Sequence, residues 1–153
     1  MATLFDAETA LLAELSDAIV DIVPTQDPQI RFKPRSEKAR GRSKAAKGLR
    51  TTRLFWISKA WFKGKPYMGQ GSWAYEIEYM VNVWYPSGKG QWNTVASSDA
   101  AKIMHSVMST SSNVTGVQQR WIPKDVDITT EVDEDDPWQL LTVPILVHYF
   151  VDG

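Results

Sequence analysis

Leu4, Phe5, Leu11, Leu12, Leu15, Ile19, Ile22 and Val23 recur at spacings of three and four, the stripe of an amphipathic helix. Asp6 stands where a cap is wanted, Glu8 falls in the first turn, and Pro24 with Pro28 closes the run. The spacing predicts a helix over about 5–23. From residue 53 the period changes. RLFWISKAWF alternates roughly. In WAYEIEYMVNVWYP, Trp73, Tyr75, Ile77, Tyr79, Val81, Val83 and Tyr85 share one face, and Ala74, Glu76, Glu78, Met80, Asn82 and Trp84 the other. Period two of this kind is a strand with one buried face, and FKGKPYMGQGS between the runs supplies a turn.

SSDAAKIMHSVMST returns to helical spacing. Ile103 with Val107 and Met104 with Met108 form a narrow stripe, and Ser97 or Ser98 caps a short helix over about 98–109. GVQQRWIP and DVDITTEV read as a third strand pair or one bent strand running into the acidic turn DEDDP. In the last run, WQLLTVPILVHYFV, the residues Leu141, Val143, Ile145, Val147 and Tyr149 share a face. Pro144 cannot donate to a ladder and predicts an edge strand or a bulge. Helix, two neighbouring strands, helix and further strands make an α+β fold: an antiparallel sheet of about four to five strands with both helices on one face. The 153 residues suit a single domain over 1–153, long enough to bury a core without staples.

Charge changes this picture at one place. Between helix and first strand lies RFKPRSEKARGRSKAAKGLRTTR, residues 31–53, with Pro34, Gly41 and Gly48 and little to bury. That composition predicts a long loop or arm. Residues 1–30 carry −6, residues 31–65 carry +12 from thirteen Lys and Arg against Glu37, and residues 66–153 carry −7. Such segregation marks an interaction surface, since like charges held together repel until a partner neutralises them. The candidate interface residues are Arg31, Lys33, Arg35, Lys38, Arg40, Arg42, Lys44, Lys47, Arg50 and Arg53. Their complement is the turn Asp133, Glu134, Asp135 and Asp136, or the acidic first helix, of a neighbouring copy. The competing reading is a nonspecific nucleic-acid-binding module: the arm holds phosphates, and Trp56, Trp61 and Phe62 just downstream offer stacking surfaces.

Catalytic chemistry finds few parts. The histidines are His105 and His148, and no serine near them sits in a Gly-x-Ser-x-Gly elbow, so a hydrolase is a distant third reading. The acidic run lacks the ligand spacing and glycine of a calcium loop, Gly88-Lys89-Gly90 lacks a phosphate-loop frame, and there is no cysteine. We therefore expect no enzyme activity, no metal and no cofactor. The acidic start of the chain is unlike a signal or transit peptide, and no apolar run is of membrane-crossing length, which predicts no membrane association.

Five features in order carry a resemblance: an acidic amphipathic first helix, the basic-aromatic strand TRLFWISKAW, a long strand ending in Tyr-Pro (YEIEYMVNVWYP), the short helix SSDAAKIMHSVM, and the closing strand LLTVPILVHYF. Together they cover about 5–23 and 53–151, and the sequence resembles the tail-terminator (tail-completion) proteins of tailed bacteriophages and the related neck and tail-tube proteins. The resemblance implies a small structural subunit forming a homo-oligomeric ring, a hexamer, at the head-proximal end of the tail. It would stop tube growth and touch the tail-tube protein and the neck or connector proteins, with transient DNA contact in the lumen. Such a protein assembles in the host cytoplasm and ends in the virion. That family offers no catalytic residues to transfer. The basic arm departs from its pattern, where the connection is shorter, so the arm's role is not inherited. The reading from the residues is that the arm grips protein.

Overall fold

A computed structural model describes residues 2–24, 53–67, 71–85, 92–109, 112–133 and 136–152. Its elements are α1 (Leu4–Val20), β1 (Leu54–Tyr67), β2 (Ser72–Tyr85), α2 (Asn93–Ser109), β3 (Val117–Trp121), β4 (Asp127–Asp133) and β5 (Asp136–Asp152). The fold is α+β. Five antiparallel strands form one sheet in which β1 pairs β2, β2 pairs β5, and both β3 and β4 pair β5.

The first helix begins at Leu4, one residue before the expected start, and Thr3 rather than Asp6 is its cap. Its Oγ1 accepts from the Asp6 amide at 3.2 Å, which meets one of the donors left open at a helix start. The helix ends at Val20, three residues short of the expected boundary, and a final turn brings the Val23 amide onto the Ile19 carbonyl at 2.7 Å. Ala7, Leu11, Leu15 and Ile19 form its buried line at strict four-residue spacing, while Phe5, assigned to the stripe by pattern, stands out in solvent.

The second helix starts at Asn93, five residues before the expected 98, so Ser97 and Ser98 lie inside it and not at its N-terminus. Its buried line is Ala96, Asp99, Ala100, Ile103 and Val107. Met104 and Met108 are 38% and 60% exposed, so the expected Met stripe is not core. The missed positions were alanines and an acid, which carry little hydrophobic signal.

Both helices cover the same face of the sheet. Ile77, Tyr79, Val81 and Val83 of β2 and Leu141, Val143, Ile145, Val147, Tyr149 and Val151 of β5 meet them in one core. The alternation read from β2 and β5 is therefore real. The opposite face is less open than expected: Leu54, Trp56 and Trp84 form a second buried cluster with Leu140 against it, and Glu78 and Asn82 are buried too.

Two strand expectations need correcting. β3 and β4 are neither a pair with each other nor one bent strand. They follow one another along the same side of β5, β4 on residues 136–142 and β3 on residues 146–149. Pro144 lies in a strand flanked on both sides, and not at a sheet edge. Residues 143–145 of β5 form the interval between β4 and β3, so on that side Pro144 has no ladder to interrupt. The chain enters β3 through Gly116, at φ +94°, where an added Cβ would lie 2.8 Å from Val151 Cγ1 and 3.1 Å from Ala7 Cβ. Only glycine fits there.

Candidate assembly surfaces

Of the predicted basic residues, Arg31, Lys33, Arg35, Lys38, Arg40, Arg42, Lys44, Lys47 and Arg50 lie outside the described residues, as do Glu134 and Asp135. Arg53, Asp133 and Asp136 are placed.

Arg53 is engaged inside the fold. Its Nε donates to Asp99 Oδ2 at 2.7 Å, and Nη2 donates to Asp99 Oδ1 at 3.2 Å and to the Ile22 carbonyl at 2.9 Å. Asp99 is only 2% exposed and also accepts from the Tyr85 hydroxyl at 2.7 Å. A bidentate guanidinium-carboxylate pair with a phenol on the third site satisfies a buried acid that would otherwise be costly. Burial, and then the hydrogen bond to Asp99, raises the Tyr85 phenol far above its ordinary range. One side chain thus ties the start of β1 to the end of α1 and to α2. The described chain breaks off after Pro24 and resumes at Arg53, and the bond from Arg53 to the Ile22 carbonyl holds these two points together. Arg53 is the clasp between them, and its charge is spent on Asp99 instead of facing outward.

Across the sheet the register runs Leu54–Trp84–Leu140–Thr129, from β1 through β2 and β5 to β4. Asp133 and Asp136 pair a few residues further on, closing the β4–β5 hairpin. The root of the basic segment and the acidic turn therefore sit at the same end of the sheet, on opposite edges.

The β1 edge holds what pattern reading missed. No described strand pairs with its outer side. The register slips between Lys59 and Trp61, a bulge at Ala60. From there to Gly64 every residue is exposed, including Trp61 (39%) and Phe62 (53%). Trp56, expected as a stacking surface beside them, is buried in the second cluster. Phe62 packs on Tyr75 with ring centroids 5.4 Å apart, and Tyr75 stacks on Trp73 at 6.1 Å. Gly64 leaves the room Tyr75 needs, since a Cβ there would fall 2.4 Å from its ring. The bulge explains the miss: one inserted residue exchanges the faces of everything after it.

Under this edge lies a buried polar chain. Tyr79 donates to Glu8 Oε2 at 2.5 Å, so at the 2.6 Å contact between phenols Tyr149 donates to Tyr79. Lys59 Nζ closes on the same carboxylate at 2.9 Å. Burial, together with the Glu8 carboxylate, raises both phenols well above their ordinary range. The chain locks α1 to three strands. Glu14 of α1 likewise accepts from Arg120 Nη1 at 2.7 Å and from the Asn113 amide at 3.3 Å.

The histidines are apart. His105 is exposed on α2, and Ser109 one turn on has its Oγ 3.2 and 3.4 Å from the two ring nitrogens. An oxygen nearly equidistant from both lies beside the ring rather than along one lone pair, which is poor geometry for deprotonating a serine. His148 donates from Nε2 to Glu76 Oε1 at 2.5 Å and meets the edge of Trp121 at 5.1 Å. Beside this pair, Lys124 reaches the buried Glu78 at 3.2 Å. Among the described residues no cluster of three or more His, Asp or Glu is arranged to hold a metal ion. Compared with known families and curated proteins, the chain matches no family model and no curated sequence.

Proposed function

We propose that this chain is a structural subunit that joins copies of itself into a ring. The place that fits the sequence resemblance is the head-proximal end of a phage tail, where the ring closes the tube and joins it to the neck. The observation that carries the reading is where the two charged stretches of the sequence join the sheet. The root of the basic segment lies at one edge of the sheet and the acidic β4–β5 turn at the other, both at the same end. Copies standing side by side in one orientation bring each root beside the next copy's turn. Contacts between two different surfaces of one subunit generate a ring when the rotation between copies closes. Complementary charge at the contact sets register and speeds encounter. The exposed aromatics of the β1 edge supply apolar area to the same contact.

The purified protein tests this directly. Multi-angle light scattering and negative-stain microscopy are expected to show rings or stacked rings, and the triple variant R40E/R42E/K44E to abolish them. Normal rings from that variant would remove the arm from the contact. A monomer that binds duplex DNA, with affinity falling steeply as salt rises, would replace the assembly reading with nucleic-acid binding through residues 31–53.

A further inference from the structure

We propose that the seam between copies is the sheet itself, with the free edge of β1 lying against the β3–β4 edge of the next copy. This rests on the ring reading and names the surface that makes the ring.

Four observations converge on it. First, β1 and β4 are each paired on one side only among the described strands. Second, each free edge exposes large apolar side chains, Trp61 and Phe62 on β1 and Ile128 (41%) on β4. Lysines and a bulge are devices that keep an edge from pairing, but edge protection does not account for bare tryptophan and phenylalanine. Third, the edges carry opposite charge. β1 has Lys59, Lys63 and Lys65 and no acid, whereas residues 117–133 have Asp125, Asp127, Glu131 and Asp133 against Arg120 and Lys124, which are held by Glu14 and Glu78 of their own copy as Lys59 is held by Glu8. Fourth, the directions suit. β1 runs parallel to β5, since both are antiparallel to β2, and β3 and β4 run against β5. Copies facing the same way therefore meet antiparallel, the stronger of the two pairings.

The register gives the heights. Two rows cross β1, β2, β5 and β3 on one face: Trp61–Glu78–Leu146–Trp121 and Lys63–Glu76–His148–Gln119. Without stagger between copies, the Trp61 end of one row abuts the Trp121 end of the next copy's row, and Lys63 abuts Gln119. The sheet then continues from copy to copy, and each two-tryptophan junction lies on the face away from the helices.

A chain with no cysteine makes the test clean. Lys63 and Gln119 are both exposed. Within one copy they stand three strand spacings apart, about 14 Å, too far for a disulfide, whose Cα atoms lie within about 7 Å. Any disulfide in the K63C/Q119C variant is therefore between copies. The expected result is a ladder of covalent multimers from the oxidised assembly, with W61E and I128E each weakening association about tenfold or more. Rings that form without crosslinks in either K63C/Q119C or the staggered pair K65C/Q119C would overturn the seam and leave the ring standing. A chain that stays monomeric at millimolar concentration would overturn both.

Discussion

Asp99 shows at the scale of one residue how a surface feature in sequence becomes an anchor in the fold. By pattern it is the acid that follows a serine cap. In the structure it is a buried carboxylate holding Arg53 and Tyr85. Replacing it by alanine strands a part-buried guanidinium and a buried phenol. The expected cost is about 3 kcal/mol, read as a lower urea midpoint, with Y85F costing about 1 kcal/mol. The tyrosines make a second prediction. Tyr79, Tyr85 and Tyr149 all have phenols raised by burial above the ordinary tyrosine value. A raised group binds its proton more tightly folded than unfolded, so its contribution is full below pH 10 and is lost as pH rises beyond it. Stability is expected to be flat to about pH 9 and then to fall by about 1.4 kcal/mol per pH unit for each such tyrosine. Denaturant titrations between pH 8 and 11 check the slope, which Y79F/Y149F should reduce. None of these roles was legible in the sequence, because each depends on partners 14 to 71 residues away.

At the scale of elements, hydrophobic periodicity was a good guide wherever one face met the core and a poor one elsewhere. α1, β2 and β5 were legible because their large apolar residues fall on one face. The start of α2 was not, since Ala96 and Ala100 pack as well as larger residues but barely register in a pattern. The two methionines misled for the opposite reason, being apolar yet exposed. I103A is therefore expected to cost about 2–5 kcal/mol, and M104A less than about 0.5 kcal/mol. Equal effects in thermal unfolding would show that the helix packs through both lines. β3 and β4 resisted reading because they share one partner strand, and sequence order alone does not say that two short strands can sit end to end beside a long one. Pro144 carried the clue, as a residue tolerated only where the ladder lapses, but it points equally to an edge, a bulge or such an interval.

For the whole molecule, the charge segregation was fully legible and its geometry was not. Two poles of a chain can fold together or apart, and only the strand register puts Arg53, where the basic stretch joins the sheet, and the Asp133–Asp136 pair on opposite edges of one end. An assembly held by those poles should weaken between about 0.1 and 1 M salt, as the screening length falls from about 10 to about 3 Å. Light scattering along that series checks it, and salt-indifferent rings would shift the weight to the aromatic edge. One further contact bears on how the protein can be handled. Thr3 bridges to Asp152, and the Asp152 amide donates to the Ala2 carbonyl at 3.1 Å, at the end of the sheet remote from Arg53. A short peptide linker between those two points would make a circularly permuted chain with its core untouched. Reopened inside residues 25–52, that chain would divide the cationic stretch between its two new ends, separating what its charge does from what its continuity does.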